Sequence, residues 1–334
     1  MSGGPTSETA TELRGAGRPS GLQGHTGWAL AIMVVSGALL AGQARVNGGL
    51  QDRLGGGSAV AVLVALVSFS LGTIWVMAVL LASRRARAAV RRWPEYKEQL
   101  AWWFFLGGIG GAALVSVSAA AVPIIGVALL SVCTVAGQTA GSLVVDEVGL
   151  GPGGKRPITL SRLVGAIVAV AALLLSTVGR VHGDFSPGLV LAITVAGFLV
   201  AGQVAVNGRL AVATGEPRIA ACVSFLGGTL VLAVLTGIVA AADWLHPAAW
   251  PHEPWFYLGG IGGAIYILLG AATVAQLGVL RLSLASVAGQ LFGSVLLDAI
   301  APSPGETLTA TTVAGVVLTF VAVVITATSR APAR

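Results

Sequence analysis

The sequence predicts an all-α integral membrane protein with ten transmembrane helices, arranged as two inverted repeats of five helices. Composition is the first observation, because 55% of the 334 residues are apolar and only 10% are charged. Mean hydropathy is +0.89, whereas a soluble domain carries about a quarter charged residues. The second observation is the number of long apolar runs, and the third is an internal duplication.

Four sequence blocks occur twice, in the same order, so each half of the chain is predicted to be one structural unit. The pairs of blocks are GQARVNGGL at Gly42–Leu50 and GQVAVNGRL at Gly202–Leu210, Ser68-Phe69 with Gly72-Thr73 and Ser224-Phe225 with Gly228-Thr229, WFFLGGIGGA at Trp103–Ala112 and WFYLGGIGGA at Trp255–Ala264, and AGQTAGSLVVD at Ala136–Asp146 and AGQLFGSVLLD at Ala288–Asp298.

A helix needs about 20 apolar residues to cross the hydrocarbon core of a bilayer. The sequence has ten such runs, at about residues 28–48, 58–82, 102–121, 123–145, 159–180, 187–208, 217–241, 255–275, 279–297 and 308–328. Residues 1–26 form a predicted disordered tail. The polar segment Val181–Pro187 divides the rest into repeats at 27–180 and 187–329. Five spans per repeat is an odd number, so the two copies cross the membrane in opposite directions.

The distribution of basic residues agrees with ten spans and predicts that both termini are cytoplasmic. Cytoplasmic loops are enriched in lysine and arginine. One side of the predicted topology collects sixteen basic residues, namely Arg14, Arg18, Arg84, Arg85, Arg87, Arg91, Arg92, Lys97, Lys155, Arg156, Arg162, Arg209, Arg218, Arg281, Arg330 and Arg334. The other side has Arg45, Arg53 and Arg180.

The same pattern argues against several other classes of protein. The net charge of +6 comes from short loops between apolar runs, which fits topology signals and membrane lipid better than nucleic-acid binding. Cys133 and Cys222 lie in apolar runs without ligand-like spacing, so no metal site is expected. The glycine runs lack the lysine of a phosphate-binding loop. The sequence shows no set of residues typical of a catalytic site. We therefore expect that the protein binds no cofactor and is not an enzyme.

The repeated motifs GQxxxN, SFxxG, WxxLGGxGG and AGQxxxSxxxD resemble those of the YdcZ-like inner-membrane exporters of the drug/metabolite transporter (DMT) superfamily, in a tandem-fused form. The resemblance covers nearly all of residues 28–328. It implies a ten-helix bundle in the bacterial plasma membrane with a transport role, in keeping with the exporters of this family. Arg45 departs from the repeat, since the second copy has Ala205 at that position.

Polar residues inside the spans are few, and two repeated stripes are candidates for the substrate site. At spacing i, i+4, i+8, residues share one helix face; the stripes are Gln138, Ser142 and Asp146 in span 4, and Gln290, Ser294 and Asp298 in span 9. Gln138 and Gln290 fall near mid-span, where they would bind substrate together with Ser142 and Ser294. The alternative is that these groups hydrogen-bond between helices and stabilise packing.

The other polar pairs fall toward the membrane faces, which favours a gating or structural role. They are Gln43 and Asn47 in span 1 and Gln203 and Asn207 in span 6. Asp146 and Asp298 end their spans at opposite faces. As gating residues they would pair with a base such as Arg162 when one side closes; as structural residues they would only reach the interface.

Three function classes remain open at this stage. The first is an alternating-access carrier for a small metabolite or drug-like solute. The second is a proton-coupled multidrug antiporter, which is disfavoured because no Asp or Glu falls deep in a predicted span. The third is a receptor or scaffold that does not transport. A homodimer is compatible with the sequence, which determines neither the substrate, the direction of transport nor the coupling ion.

Overall fold

The computed structural model describes residues 26–97, 100–176, 186–301 and 310–327, and within these ranges it is helical without strands. The α-helices are α1 (Thr26–Arg53), α2 (Gly57–Ala82), α3 (Arg84–Arg91), α4 (Trp93–Lys97), α5 (Ile109–Val148), α6 (Leu160–Ser176), α7 (Pro187–Thr214), α8 (Pro217–Ala241), α9 (Gly259–Leu277), α10 (Val279–Ile300) and α11 (Ala310–Ala327). Short 3-10 helices precede α5 at Trp102–Gly108 and α9 at Pro254–Tyr257.

Six of these elements are long and apolar enough to cross a membrane: α1, α2, α7, α8, α9 with its preceding turn, and α10. Three shorter apolar helices accompany them, at Trp102–Ser118, Leu160–Leu175 and Val313–Ala327. The protein is therefore a multi-pass membrane protein, as the composition predicts. The predicted tail falls almost entirely on residues 1–25, which lie outside the described ranges, as do 98–99, 177–185, 302–309 and 328–334.

Helix α5 covers predicted spans 3 and 4 without a break in its helical assignment, yet the chain reverses direction within it. A Cβ on Gly110 would lie 2.7 Å from the carbonyl oxygen of Leu199, and one on Gly141 would lie 2.9 Å from that of Phe198. In a straight helix, residues 110 and 141 would be about 46 Å apart. They contact adjacent residues of α7, so the chain must fold back between them. Ala121 and Cys133 share a cluster with Ile193, which puts the reversal between those two residues.

The second copy reverses at Gly278, between α9 and α10. This glycine has a φ of 79°, a backbone conformation that residues other than glycine rarely adopt. Gly259 lies against Asn47 and Gly263 against Gln43, so α9 runs antiparallel to α1. Gly289 lies against Val34 and Gly293 against Ala38, so α10 runs parallel to α1.

Helices of one copy pack mainly against helices of the other. α1 packs on α9 and α10, α7 packs on both parts of α5, α2 packs on α8, and α6 packs on α11. Small residues allow these close approaches, since a Cβ on Gly137 would overlap the carbonyl oxygen of Thr194 and one on Gly289 would overlap that of Val34. Glycine contacts of this kind are typical of helix association in membranes.

The arginine-rich segment from Arg84 to Lys97, which the sequence predicts to be a loop between apolar runs, is helical. Ser83 caps α3 by accepting a hydrogen bond from the Ala86 amide at 3.2 Å. Ala86 is buried, and Ala89 packs against the core cluster around Phe225. The arginines of α3 remain on the exposed face, so the segment is an amphipathic surface helix.

Candidate functional site

A cavity of about 560 Å³ opens between α1, α2 and the first part of α5. This volume lies in the range of small-molecule sites. Most of its polar lining comes from α1, namely Gln43, Asn47, Gln51 and Asp52, and Ser118 of α5 adds a hydroxyl. We call this end of the molecule the Asn47 side. The equivalent end, at the carboxyl terminus of α7, is the Asn207 side.

Two predicted gating residues, Gln43 and Asn47, converge on Ser68 of α2. Their side-chain nitrogens donate to the Ser68 hydroxyl at 3.4 Å and 3.3 Å. The buried Oε1 of Gln43 has no hydrogen-bond partner among the described residues. Because both residues line the cavity and also join α1 to α2, their contacts are compatible with a gating role and with a structural one.

The equivalent pair on α7 matches at the asparagine and differs at the glutamine. Gln203 Oε1 accepts a hydrogen bond from the Gly111 amide at 2.6 Å. Asn207 donates to the Ser224 hydroxyl at 3.2 Å, and Ser224 in turn donates to the Gly107 carbonyl at 3.0 Å. The asparagine–serine contact is therefore common to the two copies, whereas the glutamine contacts are not.

The two sides differ in how tightly α1 and α7 are covered. Ala44 is exposed and lines the cavity, whereas its equivalent on α7, Val204, is buried in the main core cluster. Gly48 also lines the cavity, while a Cβ on its equivalent Gly208 would overlap Val274 of α9. The structure is consequently open on the Asn47 side, and the corresponding surfaces are packed together on the Asn207 side.

Gln138 belongs to a polar cluster in the interior of the bundle. It is 8% exposed, and the Tyr266 hydroxyl lies near the Gln138 and Ser286 side chains. The Ser142 hydroxyl donates to the Gln138 carbonyl at 2.6 Å and meets the Ser283 hydroxyl at 3.0 Å. The cluster joins α5, α9 and α10, and the predicted residues Gln138 and Ser142 are both part of it.

The equivalent stripe on α10 has a different environment. Gln290 and Asp298 are partly buried, and Ser294 is exposed. Gln290 is close to α1, since a Cβ on Gly37 would lie 3.0 Å from the Gln290 amide nitrogen. The two stripes have the same three polar residue types. The stripe of α5, which ends on the Asn207 side, is buried, and the stripe of α10, which ends on the Asn47 side, is more exposed.

Asp146 is the most buried of the predicted gating residues, at 2% exposure. Its Oδ1 accepts a hydrogen bond from the Val279 amide at 2.9 Å, and its Oδ2 accepts one from the Leu280 amide at 3.2 Å. Arg162 forms an ion pair with the same carboxylate, as the sequence analysis anticipates. A carboxylate is stabilised at a helix amino terminus, so Asp146 attaches the start of α10 to the end of α5.

Arg156 binds the end of α9, on the other side of the turn at Gly278. Its guanidinium donates to the carbonyl oxygens of Ala275, Gln276 and Leu277 at 3.1 Å, 2.8 Å and 2.8 Å. Burial lowers the pKa of Arg156, and the charge of Asp146 opposes that shift. A cation is stabilised at the carboxyl terminus of a helix. Opposite charges from the first copy therefore hold both helix ends at Gly278.

Asp298 has a different partner from its equivalent. Arg45 Nη1 forms an ion pair with Asp298 Oδ1 at 2.9 Å, and Arg45 Nη2 donates to the Ala301 carbonyl. Arg45 thus connects α1 to the end of α10 on the Asn47 side. Because Ala205 replaces Arg45 in the second copy, the Asn207 side has no counterpart of this ion pair.

Tyr266 and Arg156 are not among the site residues that the sequence predicts. Tyr266 is equivalent to Leu114 and stands outside the repeated motifs, so the duplication gave no reason to single it out. Arg156 was counted only among the basic residues of loops. A polar ring in a predicted mid-span position was the available signal for Tyr266. Among the described residues, no group of His, Cys, Asp and Glu side chains could hold a metal ion.

Comparisons with known proteins identify a family and a protein with a similar fold. The family described as "Putative inner membrane exporter, YdcZ" matches the chain twice, at residues 28–175 and 188–325. A protein of known crystal structure superposes with a TM-score of 0.63 at 17% sequence identity, and the match covers 90% of this chain and 95% of the other. At that identity the likeness concerns the fold alone. A search of curated proteins finds no match.

Proposed function

Because the chain belongs to the YdcZ family of inner membrane exporters, as the two tandem matches show, we propose that it moves a small solute out of the cell by alternating access. The family match and the membrane-helical structure support a DMT-like membrane transporter. The proposal adds ten spans in two inverted repeats, cytoplasmic termini, and one central site that is reached from each side in turn.

Helix contacts support the inverted repeat. The carboxyl end of α1 lies at the amino end of α9, where Asn47 meets Gly259. The carboxyl end of α7 lies at the carboxyl end of α9, where Gly208 meets Val274. The equivalent helices α1 and α7 therefore point in opposite directions along α9. The reversal within α5 supplies the further span that makes five per copy.

One observation carries the mechanism: equivalent surfaces of the two copies are open on one side and closed on the other. Exchange of the two arrangements would close Ala44 against the first part of α5 and open Val204 to the opposite side. Such an exchange needs no new type of contact, because the repeated blocks place the same residue types at equivalent positions in both copies. By the distribution of lysine and arginine, the Asn47 side is external. This conformation is then open to the outside.

The buried cluster around Gln138 is the proposed inner part of the substrate site. Gln138 of α5 and Gln290 of α10 present hydrogen-bond donors and acceptors, one from each copy. Tyr266 extends the cluster on α9. In this proposal Asp146, with Arg162 and Arg156, closes the cytoplasmic side, while Gln43, Asn47, Gln203, Asn207 and Asp298 move with the gates.

Cysteine labelling tests this mechanism without knowledge of the substrate. Cys133 and Cys222 are first replaced by serine, and Ala44→Cys and Val204→Cys are introduced together. A bulky membrane-impermeant maleimide added from outside should modify position 44. If access alternates, this modification keeps the external cavity open and slows the modification of position 204 from the cytoplasmic side by about tenfold or more.

Asp243→Cys replaces Ala44→Cys in the matched control, because Asp243 is exposed on the segment that follows α8 and does not line the cavity. Its modification should leave the labelling of position 204 unchanged. Labelling of position 204 at the same rate with and without maleimide on position 44 would rule out alternating access. Complete protection of position 204 in every condition would rule out a state open to the cytoplasm.

A further inference from the structure

The charge of the cavity limits what can enter it. Its described lining comprises six residues of α1 and its end, six of the following turn and α2, and three of α5. Asp52 is the one charged residue in this lining, and it is exposed at the end of α1. A carboxylate that leaves water without a cationic partner loses hydration free energy that nothing restores. An anionic solute would therefore meet no compensating charge in the lining.

The two arginines nearest the cavity are already paired with acids. Arg45 neighbours the lining residue Ala44, but its guanidinium bonds to Asp298 and the Ala301 carbonyl on another face of α1. Arg53 follows Asp52, and its Nη1 forms an ion pair with Glu253 Oε1 at 3.2 Å. To bind a substrate anion, either arginine would have to give up an existing carboxylate partner.

The walls of the cavity favour an apolar body. Val64, Ala65, Leu114 and Val115 supply aliphatic surface. Phe69 adds an aromatic ring, which is held in place by Phe225 at a ring-centroid distance of 5.2 Å. Apolar surface drives binding by release of water, and the electron-rich face of an aromatic ring attracts cations. The polar groups of Gln43 and Asn47 are confined to the α1 side.

We propose that this cavity selects amphipathic organic amines, with an apolar or aromatic body and one cationic or neutral amino group, and excludes the matching carboxylates. The apolar body lies against α2 and α5, and the amino group lies toward Gln51 and Asp52. This inference rests on the proposed transport function for its biological meaning, but it concerns binding to the cavity and can be tested separately.

Binding of three compounds with the same body tests the selection. Phenylbutylamine, phenylbutanol and phenylbutyrate are titrated by calorimetry into the full chain in lipid nanodiscs. The amine should bind most tightly, about threefold better than the alcohol, the difference expected of one exposed charge pair. The carboxylate should bind about a hundredfold more weakly than the alcohol, since its charge is desolvated without a partner. Equal binding of amine and carboxylate would overturn the proposal.

Two pairs of variants place the binding in this cavity. Asp52→Asn should remove the preference for amine over alcohol, whereas Asp243→Asn, at an exposed acid outside the cavity lining, should leave it unchanged. Ala44→Trp should fill the cavity and abolish binding of the amine, while Val35→Trp on the exposed face of the same helix should have no effect. Retained binding by Ala44→Trp would contradict this location.

Failure of the two proposals can be told apart. If amine-selective binding is observed but position 204 is labelled regardless of position 44, the substrate class stands and alternating access does not. If labelling is coupled but phenylbutyrate binds as well as phenylbutylamine, the carrier mechanism stands and the substrate class is wrong.

Discussion

Thr73 and Thr229, which occupy equivalent positions in the two copies, meet through their hydroxyl groups at 2.9 Å. Thr73 donates to the Phe69 carbonyl at 2.8 Å, so the Thr229 hydroxyl donates to Thr73. In the proposed inverted repeat, a contact between equivalent residues lies on the approximate twofold axis that relates the copies. This contact, between α2 and α8, is the point about which the two halves would move least.

A cysteine pair tests that contact. Thr73→Cys with Thr229→Cys, in a background without Cys133 and Cys222, should form a disulfide on mild oxidation, because the side-chain separation approaches disulfide geometry. The bond should leave the coupled labelling of positions 44 and 204 intact, since the proposed axis would be shared by both states. Thr73→Cys with Leu230→Cys is the control, as Leu230 is exposed on another face of α8 and should not cross-link. Failure of the first pair to form a disulfide would place the axis elsewhere.

Removing both mid-span carboxamides should stop transport. Gln138→Ala with Gln290→Ala is expected to abolish flux of a bound solute in proteoliposomes while the protein remains folded, because the proposed site loses its principal donors and acceptors. Unchanged flux would assign the two glutamines to helix packing.

Tyr266→Phe provides a finer test of the same cluster. It removes one hydroxyl and should weaken solute binding by about fivefold, the effect of one lost hydrogen bond. Ser36→Ala is the matched control, since its buried hydroxyl bonds only to the Ile32 carbonyl of its own helix at 2.7 Å. Equal effects of the two changes on binding would remove Tyr266 from the site.

The two repeated aspartates should differ in their contribution to stability. Asp146→Asn leaves Arg162 without its anionic partner and weakens the attachment of α10, so we expect a loss of about 3 kcal/mol in unfolding free energy. Asp298→Asn should cost about 1 kcal/mol or less, because the Arg45–Asp298 pair is more accessible to solvent. Chemical unfolding in detergent measures both. Equal losses would mean that burial does not distinguish the two pairs.

Gly137 and Gly202 both lie in helices but have different surroundings, so replacement by alanine should have opposite effects on stability. In Gly137→Ala the methyl group would overlap the Thr194 carbonyl, so α5 and α7 must separate at a cost of about 2 kcal/mol. Gly202→Ala has open space around it and should stabilise the helix by up to about 1 kcal/mol. Melting temperatures give the sign of each change, and stabilisation by Gly137→Ala would contradict the close contact.

The sequence anticipated more of the contacts than of the conformation. Repeated blocks identified Gln43 with Asn47 and Gln203 with Asn207, and each asparagine bonds to the serine of its own SFxxG block. The pairing of Asp146 with Arg162 was also anticipated. Tyr266 and Arg156 were not, because one has no repeated equivalent and the other binds backbone carbonyls, which carry no residue-specific signal.

The amino-acid sequence by itself determined that the protein resides in a membrane and consists of two copies of one unit, because hydropathy and duplication are properties of the chain alone. Only the tertiary structure decided that identical motifs have different surroundings: Ala44 faces a cavity and Val204 is buried, Asp298 pairs with Arg45 and Asp146 holds the turn at Gly278. In the proposed mechanism, two copies with the same motifs pack in either of two asymmetric ways. Which side is open depends on the packing of helices between the copies, a relationship that no local pattern contains.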